Sequence, residues 1–124
     1  QFVVPPEAAR RAITEVLGLL QREGTGSFLA VLKTFGDRSA PGMLSFAPPG
    51  LTLALVFPNV PRVHALFTRL DVCVAAAGGA LYPAKDARGS STLFHAAYPR
   101  WSDFARYRDP GISSSFVRRM ERSS

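Results

Sequence analysis

Apolar residues recur at helical spacing in two long stretches of the chain. The first stretch, 6–22, opens with Pro-Glu and is followed by Gly24, a combination that suits a helix start and a helix stop. The second stretch, 61–77, follows Asn59, a residue type that caps helices, and ends at a pair of glycines. The pattern therefore predicts two amphipathic helices, with Asn59 as the cap of the second.

Four other segments have the pattern of β-strands. In 28–35 both alternating faces are apolar and only Lys33 interrupts them, which is typical of a strand covered on both sides. A second strong strand is predicted at 51–57, and shorter ones at 2–4 and 43–46. This order of elements predicts an α+β fold, an antiparallel sheet with helices packed on one face.

The pattern changes after Gly79, where prolines and glycines separate short elements. Short helices are predicted within 90–98, 101–107 and 114–120, with too few mutual apolar positions to form a core of their own. This part of the chain is therefore expected to dock on something larger. We expect exposed apolar surface around Tyr82 and Trp101 in the isolated chain.

Composition bounds the class of protein. The 124 residues, 47% of them apolar, suffice for one core, and no stretch approaches the ~20 apolar residues of a membrane span. A single cysteine, Cys73, excludes an internal disulfide, and with only two histidines no metal site is expected. The sequence begins at Gln1 without an initiator Met or a signal-peptide pattern, which indicates a piece of a longer chain.

The net charge of +6 permits an anionic partner. It comes from 15 basic and 9 acidic residues, and the last 25 residues hold six arginines against three acidic residues. Such a cluster is typical of a solvated helical face, and the alternative is a basic, non-enzymatic module that binds nucleic acid or anionic surfaces.

Two lysines are the main candidates for chemistry. Lys33 interrupts an apolar strand, and a buried ammonium needs a carboxylate or an anionic ligand, unless the strand is at an edge and the lysine reaches water. Lys85 follows a helix stop, a short strand and a turn, where it either faces a pocket or lies on the surface beside Asp86. Tyr82 and Tyr98 could line the same pocket.

Several strings occur in one order and together carry a resemblance. They are 1–5, 28–36, 44–46, 78–86, 94–100 and 109–110. This order resembles the C-terminal part of FAD-linked oxidoreductases of the vanillyl-alcohol oxidase superfamily and covers nearly the whole chain.

The resemblance implies a division of the chain into two parts. Residues 1–77 correspond to the end of a substrate-binding cap domain, and 78–124 to a segment that returns to the FAD-binding domain, the rest of which is absent. The implied partners are that upstream domain and an alcohol or sugar substrate, with no nucleic acid. The chain alone is expected to be inactive and prone to self-association. The implied location is the cytoplasm, with membrane association as an alternative.

The resemblance also implies a reaction, the oxidation of a secondary alcohol on a sugar or sugar-lipid by hydride transfer to FAD. Lys85 matches the catalytic cation that stabilises charge on the reduced flavin, and it binds the cofactor together with Tyr82. Gln1, Lys33 and Tyr82 match positions that line the substrate pocket.

One strand face departs from the pattern of a similar family member. Thr52, Ala54 and Val56 stand where that member has Asn, Cys and Asp. Thr52 and Ala54 are thus expected in a smaller and more apolar pocket, which favours another alcohol or sugar as substrate. A degenerate flavoprotein domain kept as an interaction scaffold is a further alternative.

Overall fold

The computed structural model describes residues 1–85 and 88–122. Within them the elements are β1 (Phe2–Val4), α1 (Pro6–Arg22), β2 (Leu29–Phe35), β3 (Gly50–Val56), α2 (Pro61–Ala76), β4 (Ala80–Leu81), a 3-10 turn (Pro83–Lys85), α3 (Ser91–Ala97), α4 (Trp101–Ala105) and α5 (Ser115–Met120). The two long helices and the strands at 2–4, 28–35 and 51–57 are confirmed to within one residue.

The strands form one antiparallel sheet in the order β2-β3-β1-β4. The register places Lys33 opposite Thr52, Thr52 opposite Val3, and Val3 opposite Ala80. Since directly opposed residues point to the same side of a sheet, this row defines one face. The α+β class with an antiparallel sheet is confirmed.

Both long helices pack on the opposite face, as predicted. Their apolar stripes bury Val16 and Val74 against Phe2, Val4 and Leu53 of the sheet. Burying each such side chain contributes about 1.5–3 kcal/mol, so this layer stabilises the fold substantially.

The three short helices pack on part of the other face and share a core with it. Phe94 is at the centre, with its ring 4.9 Å from that of Tyr98 and 5.3 Å from those of Trp101 and Phe116. Val3 of β1 completes this cluster. The expected exposure around Trp101 is therefore wrong: its side chain is 8% exposed, because aromatic residues of three different helices meet on the sheet.

Two local predictions are also wrong. Residues 43–46 form turns and a bend instead of a strand, and the hydroxyl of Ser45 accepts a hydrogen bond from the Gly42 amide at 3.1 Å. Val60, and not Asn59, occupies the N-cap of α2. The Asn59 side chain hydrogen-bonds instead to Nε2 of His64 at 2.7 Å.

Strand β2 lies at one end of the sheet and is exposed on both faces. Leu29 and Leu32, which point to opposite faces, are 53% and 56% exposed, and the preceding Phe28 is 93% exposed. The prediction of a strand covered on both sides is thus wrong for this chain. The apolar pattern identified the strand, but the described residues do not supply its cover.

Candidate functional site

Gln1, Thr52 and Lys33 lie next to one another on the sheet face opposite the long helices. The amide Nε2 of Gln1 donates to Oγ1 of Thr52 at 3.2 Å, and the Thr52 hydroxyl donates to the carbonyl of Phe2 at 2.8 Å. Thr52 is 1% exposed. These two bonds fix the side chain of Thr52 and orient the amide of Gln1.

Lys33 is directly opposite Thr52 in the strand register and is exposed. The structure therefore favours the edge-strand alternative for this lysine, in which the ammonium reaches water past an apolar stem. The strand register places Lys33 beside Thr52, and its side chain is accessible to a ligand placed on this face.

Ala54 continues the same face two residues further along β3. It is opposite Val31 and half-buried. Val56 follows on the same side, so this end of the face is apolar and flat. The small side chain of Ala54 leaves space above the sheet where a larger residue would project.

Tyr82 and Lys85 border the face at the other edge. The Tyr82 amide donates to the Gln1 carbonyl at 3.0 Å, which extends the pairing of β1 with β4. The Lys85 amide donates to the Tyr82 carbonyl at 3.0 Å, and Nζ of Lys85 is 5.9 Å from the centre of the Tyr82 ring. This is within the range of a cation–π contact.

We call these six residues the open sheet face: Gln1, Lys33, Thr52, Ala54, Tyr82 and Lys85. Register and hydrogen bonds bring all six to one side of the sheet, although they come from four separate parts of the chain. Their assigned roles stay predictions. The arrangement offers two cations, an aromatic ring and an amide that the buried Thr52 hydroxyl orients, beside an apolar floor.

Sequence reasoning missed Phe46, which packs against the face from the connection between β2 and β3. Its ring centre is 4.6 Å from that of Tyr82 and 6.0 Å from that of Phe35. Phe46 belongs to one of the strings that carried the resemblance, which was the only signal that could have marked it. It links the two lysine-bearing edges of the open sheet face.

Tyr98 and His95 hold the short helices and strand β4 in place beside the site. The Tyr98 hydroxyl donates to the Leu81 carbonyl at 2.7 Å, and burial, with a smaller contribution from Tyr82, raises the pKa of Tyr98. Nε2 of His95 lies 2.9 Å from the Met120 carbonyl oxygen and so ties α3 to α5. Tyr98 therefore fixes β4 and does not line the open face.

Two of the arginines near the C-terminus contact groups of this chain. Arg108 pairs with Glu121 at 2.5 Å and lies over the Trp101 ring, and Arg119 donates from Nε to the Gly89 carbonyl at 3.1 Å. Arg108 lies in a bend after α4 and its side chain is only 19% exposed, so these contacts fix local structure, and the predicted solvated helical face is wrong for this arginine.

Across residues 1–85 and 88–122, no group of three or more His, Cys, Asp or Glu side chains is placed to hold a metal ion. None of the helices in this described part has the length and apolar character to span a membrane.

The known proteins that are similar to this chain include two curated relatives, while no protein-family model matches it. A decaprenylphosphoryl-beta-D-ribose oxidase of Mycolicibacterium smegmatis is 41% identical over 98% of this chain. An uncharacterized protein in the mprA 5' region of Streptomyces coelicolor is 39% identical over 79% of it. The chain spans 27% and 28% of the lengths of these relatives. The resemblance indicated by the sequence strings is therefore confirmed: nearly the whole chain is similar to about a quarter of a decaprenylphosphoryl-beta-D-ribose oxidase.

Proposed function

We propose that this chain is the C-terminal part of an FAD-dependent oxidoreductase that oxidises a secondary alcohol on a sugar or sugar-lipid. The observation that supports this most is 41% identity to an oxidase along nearly the whole chain. In this proposal 1–77 completes a substrate-binding cap domain, and 78–124 returns to the FAD-binding domain.

The edge formed by Tyr82 and Lys85 fits the electron-rich end of a reduced flavin. FAD, when bound, supplies the two-electron acceptor for oxidation of the alcohol. Lys85 is exposed and brings a positive charge to this edge, with its Nζ 5.9 Å from the centre of the Tyr82 ring. A cation placed where negative charge develops stabilises that charge without reorganisation during the reaction.

The substrate side of the proposed site is the row across β1, β3 and β2. Gln1 presents an amide that Thr52 orients, and Lys33 adds a second positive charge. Ala54 and the apolar residues beside it exclude water from one side of a bound alcohol. These side chains bind and orient a substrate of which one end is polar and the other apolar.

We further propose that the missing cover of the open sheet face comes from the rest of a longer protein, including its FAD-binding domain. Leu29 and Leu32 expose apolar surface on both sides of β2, and each curated relative is more than three times as long as the part matched here. The isolated chain then lacks half of its site and is inactive.

The visible absorption spectrum of the longer protein tests this proposal. We expect a flavin spectrum and about one FAD per protein chain after purification or reconstitution. The isolated 124-residue chain is the control and is expected to bind no FAD. A longer protein that purifies colourless and cannot be reconstituted with FAD would overturn the proposal.

A further inference from the structure

Arg88, three residues after Lys85 in the sequence, is anchored to α2 by a charge pair. Both terminal nitrogens of Arg88 donate to Oδ2 of Asp71, Nη1 at 2.6 Å and Nη2 at 2.5 Å. The guanidinium group also lies over the Phe67 ring, 5.4 Å from its centre. The Arg88 guanidinium therefore contacts both a carboxylate and an aromatic ring of α2, on the side of the sheet that carries the long helices.

The chain on either side of Lys85 is anchored to two further elements. Before the turn Pro83–Lys85, the Tyr82 amide is bonded to the Gln1 carbonyl next to β1. After Arg88, the Gly89 carbonyl accepts a hydrogen bond from Nε of Arg119 on α5. Lys85 thus lies between an anchor next to β1 on one side in the sequence and anchors to α2 and α5 on the other.

The pair of Arg88 and Asp71 differs from an ordinary surface ion pair. Its side chains are 28% and 23% exposed, whereas Arg69 and Glu23, which pair between α2 and the end of α1, are 51% and 39% exposed. A less exposed pair with two donors and an aromatic contact is less screened by water and fixes geometry better. The exposed pair provides a matched control on the same helix.

Distance along the chain limits how far Lys85 can move while this pair is intact. Only two residues separate Lys85 from Arg88, and three residues span at most about 10 Å when fully extended. Without the pair, the next anchored residue after Lys85 is Gly89, so Lys85 is one residue further from its anchor.

We propose that Arg88 and Asp71 are positioning residues that hold the turn Pro83–Lys85 and thereby fix Lys85 at the edge of the open sheet face. The anchoring itself follows from the contacts of this chain. Its consequence for catalysis rests on the proposed function of Lys85.

Limited trypsin digestion tests the anchoring in the 124-residue chain without flavin. Asp71→Asn breaks the charge pair but leaves both trypsin sites, Lys85 and Arg88, unchanged. We expect cleavage after Lys85 to be about tenfold faster than in the parent chain, because digestion follows the population of the open segment. Glu23→Gln, which breaks the exposed pair, is expected to change this rate by less than about twofold.

A second variant tests whether faster cleavage merely reflects misfolding. Asp71→Glu retains the carboxylate and is expected to restore slow cleavage in part, and circular dichroism must show that all variants are folded. Equal cleavage after Lys85 in the parent chain, Asp71→Asn and Arg88→Lys would overturn the anchoring.

Sulfite binding tests the catalytic consequence in the flavin-bound longer protein. Sulfite adds to oxidised flavin as an anion, so its affinity reports a nearby positive charge. We expect the sulfite dissociation constant to rise about tenfold in Lys85→Ala and at least about threefold in Asp71→Asn, with Glu23→Gln unchanged.

The variants separate failure of this inference from failure of the proposed function. A rise in Lys85→Ala without one in Asp71→Asn would overturn the positioning role alone. No rise in Lys85→Ala would overturn the proposed function of Lys85, while the digestion result still decides whether Asp71 and Arg88 anchor the turn.

Discussion

Two adjacent glycines at the end of α2 have different structural roles. Gly78 has a positive φ of 66°, and the amides of Gly78 and Gly79 donate to the carbonyls of Ala75 and Val74 in a Schellman arrangement. Gly79 instead lies against β1, where an added Cβ would be 2.6 Å from the Val3 carbonyl oxygen. The first glycine is required for its conformation and the second for close packing.

Alanine substitutions test this difference. We expect Gly79→Ala to lower the free energy of unfolding by about 2–4 kcal/mol, because backbone must move, and Gly78→Ala by about 1–2 kcal/mol. Gly26→Ala, where an added Cβ meets nothing within 4 Å, is the control and should change it little. Urea denaturation provides the measurement. Equal effects at the two positions would contradict the assigned roles.

The buried thiol of Cys73 and the buried phenol of Tyr98 make the free energy of unfolding depend on pH in the alkaline range. Burial, and then a hydrogen bond with Glu15, raises the pKa of Cys73 above its ordinary value of 9.0. Burial, and then Tyr82, raises the pKa of Tyr98 above 10.0. In each case the folded state holds the proton more tightly than the unfolded state, so the stabilisation is complete below the ordinary pKa and is lost as pH rises above it.

The free energy of unfolding is therefore expected to fall from about pH 9 and more steeply above pH 10, approaching about 1.4 kcal/mol per pH unit for each group. Urea denaturation between pH 7.5 and 10.5 under reducing conditions measures this. Tyr98→Phe should remove only the part above pH 10. Stability that is constant over this range would contradict the prediction.

At the scale of elements, the sequence pattern predicted the secondary structure of each long segment but not which residues pack against it. The helices α1 and α2 and the strand β3 were predictable because each buries its own periodic apolar face within the chain. For β2 the same reasoning predicted cover on both sides, and the described residues leave more than half of Leu29 and of Leu32 exposed. The exposure of Trp101 was misjudged because its ring partner Phe94 belongs to a different short helix.

Strand β2 predicts how the isolated chain behaves in solution. A seven-residue edge strand with apolar faces is a template for pairing with another strand, so we expect concentration-dependent self-association. Leu32→Lys should weaken it about tenfold or more, because a charge is placed in the paired edge. Sedimentation velocity measures the effect. Leu17→Lys, at an exposed position of α1, is the control, and an equal effect there would contradict the role of β2.

At the scale of the whole molecule, the resemblance predicted the residues of the candidate site one by one. The order and register of the strands bring those residues together in space. The strand register alone places Lys33 beside Thr52, but the sequence could not show that Tyr82 and Gln1 are joined through their backbones. Phe46 was missed because its ring partner is far along the chain. The assembled face is open on one side, which agrees with the small share of its relatives that the chain spans.

The reduction potential of FAD bound to the longer protein tests the central claim most directly, since it requires no knowledge of the substrate. If Lys85 stabilises the charge of the reduced flavin, Lys85→Ala should lower the two-electron midpoint potential by roughly 30–60 mV, or about 1.4–2.8 kcal/mol. Arg106→Ala, which removes an exposed arginine outside the open sheet face, should leave it unchanged. A midpoint potential in Lys85→Ala equal to that of the parent protein would contradict the account.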